Sequence, residues 1–390
     1  MNTASPGKKS SCEGIAKAVR IQSAHRLGEG IKSNLGISSR DLFLCLCVSV
    51  VNLKRIGSDL KQIKVICFLN PLSCDGRSVE RWKEVEGIFR ELNINYELIL
   101  HRGDLTAKVL DVLKAGVPDP TCIVGVGGDG THNALINGIM KFKEANVGAY
   151  IPSYSIIPFG TGNNIAKSFN MGPMENLLFN EIRRAVISTV WGADYSLDLG
   201  KIGERYFVDG FACGIDASIL KGRDRDKSFL RKFPIICWVT RGYLVYLYNV
   251  MKNIFSYRSA NGTIDVDNVN RYSGKILNII INNTRIYAGE FDLTDTAYAN
   301  DGKLDVLISK GFSGYLRRYL LSHRHFPRKI RKLGSFGDNS VYHIKGKVFK
   351  IKLGKAVPAQ IDGEQIPDAS EFTIETVPSA ITLKIPVEPA

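Results

Sequence analysis

The chain has 390 residues, 44% hydrophobic and 23% charged, a composition that excludes a wholly disordered chain and predicts two globular domains. Fifty-two Lys and Arg residues against 38 Asp and Glu residues give a formal net charge of +14, which suits a polyphosphate, an anionic membrane or nucleic acid. No run reaches the roughly 18–20 apolar residues of a membrane-spanning helix, and no cysteines have zinc-site spacing, so we expect a reducing compartment.

Residues 1–60 contain no element that we can assign. Residues 1–40 are basic and rich in Ser and Gly, with Glu13 and Glu29 as their only acidic residues. This composition predicts a partly disordered extension, and a targeting peptide for an organelle is the alternative. The apolar run at 42–53 is too short to span a bilayer.

The next part of the chain, 61–194, alternates between apolar strand-like runs and runs with helical periodicity. This alternation predicts an α/β domain whose parallel sheet is covered by helices on both faces. Ligands bind such sheets at the carboxyl ends of the strands. The predicted elements are strands at 64–69, 96–101, 122–126 and 155–158, and helices at 79–92, 104–115 and 131–142.

The pattern changes after residue 190. Short apolar runs separated by Gly, Asn and Asp predict antiparallel strands in a second, β-rich domain at 195–385. A long apolar and aromatic segment at 235–255 predicts one helix within this domain. The predicted strands are 196–202, 205–210, 263–266, 275–281, 304–308, 340–344, 348–352 and 382–385.

A glycine-rich turn follows the third parallel strand and precedes a helix. Its glycines, Gly127, Gly128 and Gly130, lack a Cβ, so the backbone can approach a polyphosphate closely at a helix N-terminus that attracts anions. Asp129 is then placed to meet a Mg²⁺ ion or a reacting hydroxyl, with Thr131 beside it. Considered alone, this motif leaves open an ordinary strand-to-helix turn without a ligand.

Two further motifs carry polar groups suited to the same chemistry. The turn at 158–166 has Gly160 and Gly162 for close backbone approach, and its Thr161 and two asparagines are neutral hydrogen-bonding groups. Near the C-terminus, Asp362-Gly-Glu364 carries two carboxylates in what would by itself be an ordinary Asp-Gly turn.

Together, these motifs resemble the diacylglycerol kinase catalytic-domain family, which includes diacylglycerol, sphingosine and ceramide kinases and bacterial lipid kinases. The matches follow the family's order from about residue 63 to residue 385. One difference is Asn164, which stands where the family usually has Asp. The matching segments are 70–73, 127–131, 158–164, 209–217, 283–306 and 362–364.

The resemblance implies a kinase that binds ATP and Mg²⁺ in a cleft between an α/β domain and a β-sandwich domain. It also implies transfer of the γ-phosphoryl group to a lipid hydroxyl, with diacylglycerol expected before a sphingoid base or ceramide. The residues assigned to ATP on this basis are Asn70, Gly127, Gly128, Asp129, Gly130, Thr131, Asn133, Gly160, Thr161, Gly162 and Asn163.

Such a transfer needs a carboxylate that accepts the proton of the attacking hydroxyl. Resemblance to bacterial lipid kinases assigns this role to Glu364, whereas resemblance to sphingosine kinases assigns it to Asp129. We favour Glu364, with Asp129 organising the phosphates and Mg²⁺ and with Asp362 in support.

Two more sites are implied by the resemblance alone. Bacterial relatives bind a structural Mg²⁺ at the segment that here contains Asp301, whose carboxylate would be joined by the backbone carbonyls of Tyr298 and Lys303; oxygen ligands suit this cation. Asp216 matches a segment that contacts the lipid head group in sphingosine kinases. Ordinary turn and capping roles are the alternatives for Asp301 and Asp216.

Basic and apolar residues interleave at 315–332, which contains no acidic residue. This pattern predicts contact with an anionic membrane, a solvated face being the alternative, and no nucleic-acid-binding module accompanies the charge. We therefore expect a cytoplasmic, peripherally membrane-associated kinase with a lipid substrate and no nucleic-acid partner, and leave a homodimer open. Alternatives are a soluble-substrate kinase related to NAD kinase and a catalytically dead nucleotide sensor at the membrane.

Overall fold

The computed structural model describes residues 63–160, 162–169, 181–230, 252, 256–294, 296–323, 326–327, 330 and 341–387. Four predictions fall outside them: the N-terminal extension 1–60, Thr161, nearly all of the helix at 235–255 and most of the basic segment after residue 323. Among the residues that are described, no helix is both long and apolar enough to cross a membrane.

The first half of the described chain alternates strands and helices. Its strands are β1 (Lys64–Leu69), β2 (Tyr96–Leu100), β3 (Thr121–Gly127) and β4 (Ser153–Pro158). A short 3₁₀ helix lies at Cys74–Gly76, and the α-helices are α1 (Ser78–Glu91), α2 (Leu105–Lys114), α3 (Asp129–Ala145), α4 (Asn164–Ser168) and α5 (Glu181–Trp191). The strands pair in parallel in the order β4-β3-β1-β2, which confirms the predicted parallel sheet.

Both faces of this sheet are buried. Val65, Cys67 and Leu69 of β1 pack on one side with α1 and α5. The alternate residues, Ile66 and Phe68, pack on the other side with α2 and α3. Because successive side chains of a strand point to opposite faces, an uninterrupted apolar run such as β1 fits only a sheet covered on both sides.

The second half is built from antiparallel strands around its own apolar core. Its elements are β5 (Ala193–Ile202), β6 (Arg205–Phe207), β7 (Gly210–Gly214), α6 (Ile215–Leu230), β8 (Ala260–Val266), β9 (Val269–Ile276), β10 (Asn278–Asn282), β11 (Ile286–Tyr287), β12 (Phe291–Asp292), β13 (Leu304–Ser309), α7 (Phe312–Leu321), β14 (Val341–Gly346), β15 (Val348–Ile361) and β16 (Glu364–Ile385). An α/β half followed by an antiparallel β-sandwich half confirms the predicted fold class.

Two strands are far longer than their sequence pattern predicts. β15 continues nine residues beyond the predicted 348–352, and β16 begins well before the predicted 382–385. Prolines within these strands suggest breaks, but the chain accommodates Pro358 and Pro378 where the pairing register shifts. Such bulges let a strand continue past a residue that cannot donate a hydrogen bond.

β16 joins the two halves of the fold. It pairs with β15 through its first residues, then with β5, and at Leu383 it lies parallel to Tyr154 of β4. One sheet path therefore runs from β14 through β16 to β2. The predicted boundary between residues 194 and 195 falls within β5, one of the strands that β16 contacts.

Candidate functional site

The first glycine loop connects β3 directly to α3. Gly127 ends the strand, Gly128 is extended, and Asp129 is the first helical residue. A Cβ on Gly127 would lie only 2.4 Å from Oγ1 of Thr131, so no larger residue fits there. Thr131 in turn accepts a hydrogen bond from the Asn70 side chain at 3.2 Å, which ties the end of β1 to this loop. The geometry leaves the helix N-terminus at the carboxyl edge of the sheet, where it can hold an anion.

The second glycine loop lies against the first. A Cβ built on Gly160 would be 2.4 Å from the Cα of Gly128. Asn163 holds the loop closed, because its Oδ1 accepts from the Gly160 N–H at 2.9 Å and its Nδ2 donates to the Gly160 carbonyl at 2.8 Å. Asn163 itself adopts a left-handed conformation at φ 50°, which asparagine tolerates better than most residues.

Asp129 links the two loops. Its Oδ2 accepts from the Asn164 N–H at 3.1 Å and its Oδ1 from the Ile165 N–H at 3.4 Å, so it caps the start of α4. A Cβ on Gly162 would lie 3.0 Å from the same carboxylate. Burial raises the pKa of Asp129, and these backbone donors oppose the rise. Asp129 is therefore positioned as an organiser of both loops.

An acidic hairpin faces these loops from the β-rich half. β15 ends at Ile361 and β16 begins at Glu364, with Asp362 at φ 46° and Gly363 at φ 80° between them. Two positive φ values in a two-residue connection are typical of a type I′ turn, for which Asp-Gly is a favoured sequence. The predicted turn therefore forms the end of a long hairpin.

Asp362 anchors this hairpin to the rest of the molecule. Its carboxylate accepts four hydrogen bonds of 2.7–3.0 Å, from the Asn133 side chain and from the backbone N–H groups of Val208, Asp209 and Gly210. Burial raises its pKa, although all four donors favour the charged form. Asn133 is buried with it, so the structure directs this side chain towards Asp362, and its assignment to ATP stays a prediction.

Glu364 is the member of the acidic pair that faces the glycine loops. Its Oε1 lies 3.1 Å from the position that a Cβ on Gly130 would occupy, and its side chain is half exposed. Its Oε2 accepts from the guanidinium of Arg205 on β6 at 3.0 Å. Sequence reasoning missed Arg205, because nothing in the short β6 segment indicates which residue its side chain meets.

Asp209 is a buried carboxyl group beside the anchored hairpin, and it was not among the predicted site residues. The Thr284 hydroxyl donates to it. Burial raises the pKa of Asp209 well above its ordinary value, and the neighbouring charge of Asp362 adds to the rise. Asp209 therefore holds its proton more tightly than an exposed aspartate does.

Replacing Asp209 with Asn is expected to weaken the pH dependence of stability. Because its pKa is raised on folding, the unfolded chain loses this proton first, and the free energy of unfolding falls as pH rises from the ordinary carboxyl pKa towards the folded value. An amide has no such proton. As the pH rises above the ordinary carboxyl pKa, the melting temperature of this variant should fall less steeply than that of the wild type. Equal slopes would contradict this, and Asp111→Asn, on an exposed position of α2, is the control.

Asp216 lies in the first turn of α6, where hydroxyl and amide groups surround its carboxylate. Its carboxylate accepts from the hydroxyls of Tyr315 and Tyr319, both at 2.6 Å, from the Asn278 amide at 2.7 Å and from the Tyr287 hydroxyl at 3.3 Å. Burial raises its pKa and the phenol donors oppose the rise. The predicted contact with a lipid head group stays a prediction, but four protein donors already surround this carboxylate.

The predicted structural cation site contains a lysine. Nζ of Lys345 lies 2.5 Å from Oδ2 of Asp301, 3.2 Å from Oδ2 of Asp305 and 2.8 Å from the Thr296 carbonyl. The Tyr298 carbonyl accepts from the Asp301 N–H. Two carboxylates and a carbonyl can bind a cation, but here the ammonium group of Lys345 is that cation. These residues therefore do not fit a structural Mg²⁺ in addition to the lysine. No role is assigned to such an ion or to the Lys303 carbonyl here.

Replacing Lys345 with Met is expected to destabilise the fold by about 1–3 kcal/mol, since the buried Asp305 carboxylate loses a nearby positive charge. Thermal melting of the variant checks this, with Lys347→Met, an exposed residue two positions further along the chain, as the control. The wild-type melting temperature should also be the same in EDTA and in MgCl₂. A fall in EDTA that Mg²⁺ reverses would contradict the interpretation.

Comparison with known proteins bears on the same segments. Residues 64–191 match the family described as "Diacylglycerol kinase catalytic domain", and residues 235–385 match "YegS C-terminal NAD kinase beta sandwich-like domain". A diacylglycerol kinase of Bacillus subtilis (strain 168) is 22% identical over 308 residues, covering 78% of this chain and 90% of that protein. The crystal structure of a diacylglycerol kinase from Bacillus anthracis has a TM-score of 0.56 at 17% identity, covering 84% of this chain and 98% of that one, which supports the shared fold.

Proposed function

Because the chain belongs to the diacylglycerol kinase catalytic-domain family, we propose that it transfers the γ-phosphoryl group of ATP to the hydroxyl group of a lipid. The observation that carries this proposal is the position of Glu364, whose carboxylate faces Gly130 across the paired glycine loops. A proton acceptor and a phosphate-binding loop are the two parts that phosphoryl transfer to an alcohol requires.

In the proposed reaction, the glycine loops and the N-terminus of α3 hold the phosphates of ATP. Glu364 accepts the proton of the lipid hydroxyl, the hydroxyl oxygen forms a bond to the γ-phosphorus, and the bond to the β–γ bridging oxygen breaks to release ADP. Mg²⁺ enters with ATP as part of the substrate, where it neutralises phosphate charge. Asp129 is the carboxylate we assign to this MgATP complex. Arg205 holds Glu364 in place through their 3.0 Å ion pair.

We propose diacylglycerol as the first lipid to test, since the Bacillus subtilis relative carries that name. Sphingoid bases and ceramide are the next candidates. The experiment is phosphate transfer from labelled ATP to diacylglycerol, monoacylglycerol, sphingosine and ceramide in mixed vesicles, with NAD as a soluble acceptor. Labelling of a lipid supports the proposal. Labelling of NAD alone would favour the soluble-substrate alternative, and no labelling of any acceptor would favour the nucleotide sensor.

We further propose that the segment 315–332 contacts an anionic membrane from the cytoplasmic side. The support lies in α7, where Leu316 and Leu320 are exposed at 39% and 61% with the basic Arg317 between them. Phe326 and Ile330 are exposed as well. Exposed apolar side chains among basic residues suit a lipid surface. Sedimentation with anionic but not with neutral vesicles checks this, and equal sedimentation with both would contradict it.

A further inference from the structure

A chain of hydrogen bonds runs from the Asp216 carboxylate to the acidic hairpin. The Tyr287 hydroxyl donates to Oδ2 of Asp216 at 3.3 Å. The same hydroxyl accepts from Nε2 of Gln360 at 3.1 Å, and Oε1 of Gln360 accepts from the Gly363 N–H at 2.7 Å. Three consecutive bonds therefore connect α6 with the residue that precedes Glu364.

The direction of this chain is set by its two ends. A backbone N–H such as that of Gly363 only donates, and Oδ2 of Asp216, which also takes a hydrogen bond from the Asn278 amide, accepts. Between these ends, the Gln360 amide must present its oxygen to Gly363 and its nitrogen to Tyr287. Both side chains are well buried, at 6% and 8% exposure, so water does not readily replace either bond.

The hairpin needs such a support at this position. Asp362 is anchored by its own four hydrogen bonds, but Glu364 lies on the opposite side of the turn, and the Arg205 side chain that pairs with it is itself 43% exposed. The Gly363 N–H is the backbone group between the two acidic residues, and Gln360 fixes it. A bond to that peptide restrains the direction in which Glu364 leaves the turn.

We infer that Tyr287 and Gln360 are positioning residues for the acidic hairpin. Through them, a change in the hydrogen bonds of the Asp216 carboxylate alters the position of Glu364. The catalytic part of this inference rests on the proposed function. A ligand that withdraws a donor from Asp216, or supplies one, would act on the same hydrogen-bonded chain. The arrangement thus couples the predicted head-group position with the predicted proton acceptor.

Replacing Tyr287 with Phe removes the hydroxyl that joins the two ends and leaves the ring in place. We expect the amide hydrogens of the hairpin at 361–366 to exchange several times faster than in the wild type. Tyr272→Phe is the matched variant, because it removes a hydroxyl from a similarly buried tyrosine whose bond, to the Lys275 carbonyl, lies outside this chain. Hairpin exchange in that variant should equal the wild type. Equal acceleration in both variants would overturn the inference.

The kinetic test separates positioning from general loss of structure. Tyr287→Phe should lower kcat for lipid phosphorylation about tenfold with KM for ATP unchanged, as expected when a reacting group is slightly misplaced. Tyr272→Phe, which removes a buried hydroxyl bonded to the Lys275 carbonyl, should leave kcat unchanged. If Gln360→Met and Tyr287→Phe act through one chain, the kcat of the double variant should be no lower than that of the less active single variant.

Additive losses would show that the two residues act separately and would overturn the coupling. The exchange measurement requires no kinase activity, so it distinguishes the two proposals. Suppose that the wild-type protein phosphorylates no lipid, but that exchange at the hairpin is faster in Tyr287→Phe alone. This result would contradict the proposed function and support the positioning role. A fully active Tyr287→Phe variant with a wild-type exchange pattern would support the proposed function and contradict the positioning role.

Discussion

Replacing Glu364 with Gln is expected to lower kcat for lipid phosphorylation by about a hundredfold or more. The amide keeps the size of the side chain but cannot accept the proton of the attacking hydroxyl. Since Glu364 faces Gly130 from the other half of the fold and forms no part of the glycine loops, the KM for ATP should change by less than about twofold. Steady-state kinetics with the preferred lipid at saturating ATP would measure the effect.

The control for this substitution is Glu371→Gln, on an exposed position of the same strand. It changes the charge by the same amount and should leave kcat unaltered. A parallel Asp129→Asn variant decides between the two candidate proton acceptors. Near-normal turnover in Glu364→Gln together with an inactive Asp129→Asn enzyme would reject Glu364 and assign proton transfer to Asp129.

Replacing Gly160 with Ala is expected to raise the Kd for ATP at least about tenfold, because the two loops that we assign to the phosphates would be pushed apart. The new Cβ would lie 2.4 Å from the Cα of Gly128 and 2.7 Å from Oδ1 of Asn163. A backbone atom cannot rotate away as a flexible side chain can, so the loops must separate. Calorimetric titration with a non-hydrolysable ATP analogue would measure the affinity without any lipid.

Gly87→Ala provides the matched control for that loop substitution. Gly87 lies on the exposed side of α1, where an added Cβ meets no atom within 4 Å. Alanine is the better helix former by about 1 kcal/mol, so this variant should melt slightly higher and bind nucleotide normally. Unchanged nucleotide affinity in Gly160→Ala would show that the phosphates bind elsewhere.

The parallel half of the fold was predictable because its signals are local. The run of β1 is apolar at every position after Lys64, so it predicts a strand buried on both faces, and its bounds agree with the prediction. The glycine loop after β3 was recognisable for the same reason, since Gly127 and Gly128 stand at the change from strand to helix. Patterns of this kind need no knowledge of distant residues.

The contacts that complete the site join residues far apart in the chain. Arg205 and Glu364 lie 159 positions apart, and Asn133 and Asp362 lie 229 apart, so no spacing rule connects them. Asp362 shows the limit most clearly. As a sequence motif it is a second carboxylate beside Glu364, whereas in the structure it is a buried anchor with four donors. Only the tertiary structure separates these two roles.

β16 has a mechanical consequence for the proposed reaction. Its first residue is Glu364, and near its end Leu383 lies beside β4, the strand that leads into the Gly160 loop. The proposed proton acceptor and the loop that we assign to phosphate are thus attached to one continuous ribbon of hydrogen-bonded backbone. Closing the gap between them would require bending or twisting this ribbon, since no flexible linker separates the two points.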